Sequence, residues 1–354
     1  MPFKHSAWYV GALSSELPVG AMISRLMLTE TVLLTRLSND QVAAMGGVCP
    51  HRFAPLVKGK LLGDRVQCGY HGLEFAASTG LCVRNPRGRG IIDERLRVKS
   101  YQMHELHGFV WVWLGSSEPA EPSAIPDFSS LQRFPPHMTV EGYLHSNSNY
   151  QVVTDNLLDA SHGDFVHPGL LTSYGAFCQP PKMLIGGDTV AAQYIIENGP
   201  AQPFFALYLP RPNEPADQEH VFKWYPPAMV WIESRLTQAG LEASPLTSQN
   251  LHVLTPATEN STHYWFRGVR NFADLGPDGA KRVSEGLMKA FSEEDKPMLE
   301  AVSQAMGDRD FWEMRPAILE GDNVSVMARR KLQKMIANEL GKQPTPGAPE
   351  DGLN

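Results

Sequence analysis

Fourteen residues of this chain, Asp155 to Pro168, read D-N-L-L-D-A-S-H-G-D-F-V-H-P and set two histidines among several acids. His162 and His167 are five positions apart, about 140° around an ideal helix, so both can face one metal ion only where the helix is distorted or ends between them. Pro168 fits such an ending. Asp155, Asp159 and His162 stand at steps of four and three, which on a helix places carboxylates beside the first histidine. This is a metal-site pattern. It is also what an amphipathic helix with two unrelated histidines would look like.

A second donor set lies upstream. Cys49-Pro-His51 is followed by sixteen residues and then by Cys68-Gly-Tyr-His71, each Cys and His pair sitting in a stretch marked by Gly or Pro. Two cysteines and two histidines can hold tetrahedral zinc, or a [2Fe–2S] cluster with cysteines on one iron and histidines on the other. Zinc fingers group Cys with Cys and His with His, whereas each segment here supplies one of each, as a cluster with one all-sulfur and one all-nitrogen iron requires. Cys82 and Cys178 stand outside the set and are expected to be buried small hydrophobes.

A third acid comes from a helix expected over about 280–306, whose apolar stripe is Leu287, Phe291, Met298, Val302 and Met306. On a helical wheel with Leu287 at 0°, Asp295 falls at about 80°, inside that stripe. A carboxylate facing the core needs a partner. Glu294 falls at the stripe's edge and Glu293 faces away, while Pro297 can bend the helix there.

The elements that must position these groups can be read in order. Short strands, A-W-Y-V-G, M-L-T-E-T-V-L-L-T-R and V-A-A-M-G-G-V, are separated by turn residues and imply a small β domain. Strand-like runs continue to Gly115, after which E-P-A-E-P-S-A-I-P marks a stiff linker. Beyond Pro168 further strand-like runs, among them V-A-A-Q-Y-I-I-E, F-F-A-L-Y-L, H-V-F-K-W-Y, M-V-W-I-E, L-H-V-L-T and H-Y-W-F-R-G-V-R-N-F, suit an antiparallel sheet. The expected organisation is a first domain over 1–117, a Pro-rich linker over 118–128, a second domain over 129–340 and a disordered tail over 341–354.

The chain's 354 residues are enough for two hydrophobic cores. A net charge of −7 gives no reason to expect nucleic acid or an anionic membrane as partner. No apolar run approaches the roughly 18 residues of a membrane span, and the first residues lack the pattern of a signal peptide, so the expected location is the cytoplasm. Four cysteines in so long a chain do not make a disulfide framework. Without a G-x-G-x-x-G or P-loop run, the chain is not expected to bind a nicotinamide cofactor itself.

The C-x-H, spacer, C-x-x-H block closely resembles the Rieske signature. Two histidines with one buried carboxylate resemble the facial triad of non-haem Fe(II) oxygenases, which leaves coordination positions open for O₂. Taken together, the chain to about residue 340 resembles the Rieske non-haem iron oxygenases, and within them the oxygenase components of the vanillate O-demethylase, dicamba monooxygenase and toluenesulfonate methyl-monooxygenase group. The resemblance implies an α+β chain with an N-terminal all-β Rieske domain and a C-terminal helix-grip catalytic domain, an antiparallel sheet with long helices. It implies Cys49 and Cys68 on one cluster iron, His51 and His71 on the other, and His162, His167 and Asp295 on a mononuclear Fe(II). The family's D-N-L-x-D-x-x-H stretch is matched by Asp155 to His162, which puts Asn156 near the iron and makes Asp159 a carboxylate bridging His162 to His71 of a neighbouring subunit.

It further implies a homotrimer, a separate ferredoxin or NAD(P)H-dependent reductase as electron donor, and monooxygenation of a small aromatic substrate. The expected reaction is oxidative O-demethylation of a methoxy aromatic acid, with methyl hydroxylation or N-demethylation by the same machinery as the alternative. Met229, Trp231, His252 and Trp265, from the strand-like runs, are the expected substrate contacts. Two other classes remain: an electron-transfer protein whose second domain has lost its iron, against which the retained His162, His167 and Asp295 argue, and a zinc-stabilised binding module.

Overall fold

The computed structural model describes residues 3–115, 121–167, 169, 171–274 and 276–341. Part of the expected linker (118–120), Pro168 and residues 342–354 of the expected tail lie outside the described residues. The chain divides into two compact units. One comprises His5–Asp127 with Thr255–Thr258, and the other Met1–Lys4, Phe128–Leu254 and Glu259–Asn354. No helix among the described residues is long and apolar enough to cross a membrane.

The first unit is all β. Its strands are β1 (Trp8–Leu13), β2 (Met22–Met27), β3 (Glu30–Arg36), β4 (Val42–Gly46), β5 (Lys60–Leu62), β6 (Arg65–Gln67), β7 (Glu74–Ala76), β8 (Cys82–Arg84), β9 (Ser100–Tyr101), β10 (Met103–Leu106) and β11 (Phe109–Trp113). They form three sheets in the orders β1-β11-β10, β2-β3-β4-β9 and β5-β6-β7-β8. The run M-L-T-E-T-V-L-L-T-R, expected as one strand, is broken by a hairpin turn at Leu28 and Thr29, with φ of 49° and 68°. Such values are unfavourable for a β-branched residue. The turn is held by hydrogen bonds from both main-chain N–H groups to the carbonyls of Pro256 and Ala257, a tertiary support that nothing local announces.

The second unit is built on one antiparallel sheet with strand order β12-β18-β17-β16-β15-β14-β13. These are β12 (Thr139–Ser146), β13 (Lys182–Gly186), β14 (Thr189–Gly199), β15 (Ala216–Tyr225), β16 (Met229–Gln238), β17 (Leu246–Thr258) and β18 (Ser261–Arg270). Its helices are α1 (Tyr150–Leu158), α2 (Gly163–Val166), α3 (Pro203–Ala206), α4 (Gly276–Lys289), α5 (Lys296–Met306) and α6 (Asn323–Glu339). The expected strand F-F-A-L-Y-L is in fact α3 and its exit. Pro203 opens that helix, and Phe205, Ala206 and Leu209 pack with Leu236 and Phe272 in one apolar cluster. A run that is apolar throughout has no period to separate helix from strand.

The expected long helix spans α4 and α5 with a π-helical segment, Ala290–Asp295, between them. The wider π turn rotates everything beyond it back by about 100°, one residue's worth. The apolar stripe therefore does not continue as expected. Met298 and Val302 are exposed, while Leu299 is buried.

Helix α6 is an element that the sequence's periodicity did not single out, and it supports helix α1, which leads into the segment carrying His162 and His167. Its Arg329, buried, bonds Asp155 through Nε at 2.8 and 3.0 Å and Gln151 through Nη1 at 3.1 Å. Asp155 thus serves an ion pair with α6, not a carboxylate face beside His162. Replacing Arg329 by Met should destabilise this unit by about 3 kcal/mol, because it strands a carboxylate that is mostly out of water. Denaturant unfolding checks this, and adding Asp155→Asn in the same chain should recover part of the loss.

Candidate metal centres and cavity

The two Cys and His loops of the first unit are built alike. In one, Cys49 N–H donates to Ala54 O at 2.9 Å and Phe53 N–H to Cys49 O at 2.9 Å; in the other, Cys68 N–H donates to Leu73 O at 2.7 Å and Gly72 N–H to Cys68 O at 3.0 Å. The equivalent residues Phe53 and Gly72 both take positive φ, 58° and 74°, a turn that glycine makes freely and phenylalanine only under tertiary constraint. Between the loops, Gly59 packs so closely on the main chain of Gln67, the residue before Cys68, that any Cβ there would clash with the Gln67 carbonyl.

This places like with like. Cys49 and Cys68 are both buried in the unit's core. Burial pushes the Cys49 thiol up to about 11, and the Cys68 thiol beside it adds to the shift. The rings of His51 and His71 lie together at the solvent side, 4.7 Å between centroids, with Tyr70 against His71 at 3.8 Å. Among the described residues these four donors do not draw together within 4.8 Å as His162, His167 and Asp295 do, so the set suits two irons and not one tetrahedral ion. Cys82 is buried as expected; Cys178 is exposed, against expectation, its neighbour Phe177 being the residue of that segment which is buried. Arg65 and Arg84 are tied to the buried carboxylate of Glu74 at 2.6 and 2.7 Å.

In the second unit the helical chain breaks before His162. Helix α1 ends at Leu158; Asp159 turns to φ −104° and ψ 96° and begins a 3-10 turn over Ala160–His162. After the single turn of α2, His167 leaves helical geometry at φ −117° and ψ 65°. These two breaks turn both rings inward, 5.3 Å between centroids. Donor atoms of His162, His167 and Asp295 all lie within 4.8 Å of one another. The distances from Asp295 Oδ1 are 3.5 Å to His162 Nε2 and 3.2 Å to His167 Nε2. Three mutually cis ligands at bond lengths near 2.1 Å would stand about 3 Å apart, so the set fits one ion.

The outer nitrogens are engaged as a metal-binding histidine needs. His162 Nδ1 meets the main-chain carbonyl of Asp159, and His167 Nδ1 meets Glu294 Oε2 at 2.7 Å. Although burial opposes charge on the His167 ring, Asp295 and Glu294 hold its pKa above the ordinary value, as expected of a ring facing carboxylates where a cation belongs. Asn156 Nδ2 donates to Asp295 Oδ1 at 3.2 Å. Glu294, set aside at the edge of the sequence's stripe, reaches the site because the π segment places it and Asp295 together on the inner side. Glu294→Gln should weaken iron binding about tenfold, since His167 loses a charged partner; iron titration with the cluster content as internal reference checks it.

Contrary to the expectation from the sequence, the side-chain carboxylate of Asp159 bonds Ser161 and not His162. It accepts from Ser161 N–H at 2.9 Å and from Ser161 Oγ at 2.6 Å, because Asp159 lies outside the helix and caps the turn that follows.

A cavity beside these groups is lined by Asn156, Asp159, His162, His167 and Asp295, by Phe205, Phe222, Phe266 and Phe291, and by the polar residues His220, Ser234, Ser248, Asn250 and His252. Of the four expected substrate contacts only His252 faces it. Met229, Trp231 and Trp265 point the other way. Strand side chains alternate, so in β16 Ile232 and Ser234 look into the cavity and in β18 Phe266 does. Trp265 is fully buried against Tyr143 at 5.0 Å, and Trp231 stacks on Phe128 at 5.5 Å. Alternation was legible in each run; which parity faces inward was not. No Lys or Arg is among the described residues lining the cavity.

His252 Nδ1 lies 2.7 Å from the Tyr264 hydroxyl. The buried phenol needs an acceptor, so it donates to Nδ1 and leaves Nε2–H as a donor. Burial pushes His252 down to about 3, the nearby Asp295 charge opposing, which keeps the ring neutral.

Two family descriptions match this chain: Rieske [2Fe-2S] domain over residues 7–102 and Vanillate O-demethylase oxygenase C-terminal domain over residues 146–338. The chain is 34% identical to the oxygenase component of dicamba O-demethylase from Stenotrophomonas maltophilia, over 95% of this chain and 98% of that one. It is 30% identical to a vanillate O-demethylase oxygenase subunit from a Pseudomonas species, over 95% and 96% of the two chains. The crystal structure of dicamba monooxygenase bound to dicamba superposes with a TM-score of 0.87 at 32% identity, covering 97% of this chain and 100% of that one.

Proposed function

Because the chain belongs to the Rieske non-haem iron oxygenases, in the group of oxygenase components that includes those of vanillate and dicamba O-demethylation, we propose that it carries out oxidative O-demethylation of a methoxy aromatic acid. The observation that carries this reading is the convergence of His162, His167 and Asp295 on one point at the edge of an aromatic-walled cavity. Cys49 and Cys68 would hold one iron of a [2Fe–2S] cluster and His51 and His71 the other, while His162, His167 and Asp295 would hold mononuclear Fe(II). Bound there, the two centres supply electrons one at a time and the activation of O₂.

The chain's own residues do the rest. Asn156 fixes the Asp295 carboxylate, and the Asp159 carbonyl and Glu294 fix the two rings. Phe205, Phe222, Phe266 and Phe291 exclude water and hold an aromatic ring by its faces. The Nε2–H of His252 receives an acceptor on the substrate, a carboxylate oxygen in this reading. One C–H bond of the methoxy group becomes C–OH with one atom of O₂, the other atom leaving as water with two electrons from the donor and two protons, and the resulting hemiacetal breaks to a phenol and formaldehyde.

Electrons come from a separate ferredoxin or reductase. Arg52, Lys58, Lys60, Arg87 and Arg89 are the basic residues near the cluster loops that could dock it, Arg65 and Arg84 being engaged by Glu74. The working assembly in this reading is a homotrimer, in which one copy's cluster serves a neighbour's iron. The test is substrate-dependent O₂ uptake with an added reductase across methoxylated, methylated and N-methylated aromatic acids. Formaldehyde released from a methoxylated member in step with O₂ supports the proposal. Uptake confined to methylated members, with a benzylic alcohol as product, overturns it in favour of methyl hydroxylation.

A further inference from the structure

On the cavity side of the sheet, three polar residues stand in one row across three strands: His220 on β15 pairs with Ser234 on β16, and Ser234 with Ser248 on β17. All three side chains are buried. Their hydrogen bonds have a single direction, set at one end by the main chain. The Gln218 amide nitrogen donates to the Pro200 carbonyl at 2.9 Å, which turns its oxygen to His220 Nε2 at 3.2 Å. An amide oxygen only accepts, so Nε2 carries the ring proton. Burial pushes His220 down to about 4, so the ring is neutral and Nδ1 is a bare acceptor.

Ser234 Oγ lies 2.8 Å from that Nδ1 and must donate to it. Its one proton is then used, and only lone pairs face the cavity. Among the described residues the Ser234 hydroxyl makes no other hydrogen bond, and the side chain of its cross-strand neighbour Ser248 makes none to it. The site's polarity therefore differs along the sheet. His252 presents a donor, and on the next strand, about 13 Å farther along the strand direction at a rise of ~3.3 Å per residue, Ser234 presents an acceptor level with Ser248.

We infer that Ser234 is a specificity determinant that accepts a hydrogen bond from the substrate, so that this site takes aromatics bearing a phenolic O–H or an N–H over their O- or N-alkylated counterparts. The inference rests on reading the cavity as the substrate site and adds the class of group the substrate must carry. An ether in that place sets lone pairs against lone pairs and shuts out the water that would otherwise donate. Sites built to bond a hydroxyl reject analogues lacking it far better than apolar pockets reject an extra methylene.

The experiment is equilibrium binding to the iron-loaded, full-length protein under anaerobic conditions, by calorimetry. It compares 4-hydroxy-3-methoxybenzoate with 3,4-dimethoxybenzoate and 2-methoxyphenol with 1,2-dimethoxybenzene. The hydroxylated member of at least one pair should bind about tenfold tighter. Ser234→Ala should bring that ratio to near unity, and Ser234→Thr, which keeps the hydroxyl, should preserve it. If neither pair shows the preference, or if the preference survives in Ser234→Ala, the inference is wrong. Because no turnover is required, selective binding of the phenol without O₂ uptake would instead overturn the demethylation reading and leave this one standing.

Discussion

Replacing His162 or His167 by alanine is expected to abolish oxygenation while the visible spectrum of the cluster stays as in the parent protein. The two donor sets lie in different units, so loss of one metal leaves the other's loops and their hydrogen bonds intact. Each ring contributes its Nε2 to the same point and has its Nδ1 already committed, so no nearby group can substitute. The loss should exceed the roughly 100-fold effect at the upper end for outer partners of a metal ligand. Iron per chain should fall from about three to about two, the two being the cluster's. Turnover at the parent rate with iron content unchanged would refute the assignment of the triad, whichever histidine was replaced.

The second large effect is expected at Asp159, where the structure makes Asp159→Asn an unusually clean change. Asn caps a helical turn about as well as Asp, so the bonds to Ser161 can be kept. The contact that orients His162 comes from the main-chain carbonyl and is untouched by any side-chain replacement. Only the charge is removed. If the carboxylate links His162's side of the site to His71 of a neighbouring copy, the cluster in the Asn variant should still be reduced by the donor, and the mononuclear iron should still bind. Single-turnover reoxidation of the reduced cluster, with substrate and O₂ present, should then slow at least about tenfold. An unchanged reoxidation rate would reduce Asp159 to a capping residue, whatever happened to steady-state activity.

How far the site could be read in advance differs sharply between residue types. The metal-ligand candidates were legible because their chemistry is carried by identity and local spacing. Cys-x-His and Cys-x-x-His segments, two histidines five apart, and an acid in an apolar stripe can each be recognised without knowing what they pack against. The substrate side was much less legible. Met229, Trp231 and Trp265 belong to strands that do form, yet they lie on the face away from the cavity, because a strand's period of two leaves the choice of face to whatever covers each side. His220 and Ser234 are polar residues in apolar company, and their roles follow from one carbonyl, that of Pro200, brought up from a different segment.

Similar reasoning applies to the helices. Glu294 and Asp295 act together because a π segment inserts one residue's worth of rotation between α4 and α5, a distortion that Pro297 hinted at and did not specify. Arg329 reaches Asp155 across 174 positions, and Leu28 and Thr29 hold their turn only through the carbonyls of Pro256 and Ala257. By itself, then, the sequence determined which residues are candidate donors and where most of the strands run, since these depend on residue type and short-range period. Tertiary structure alone decided which strand face met the cavity, where the helical segment carrying His162 and His167 broke, and in which direction the cavity's protons point. Those depend on contacts between residues distant in the chain, whose energies no local pattern encodes.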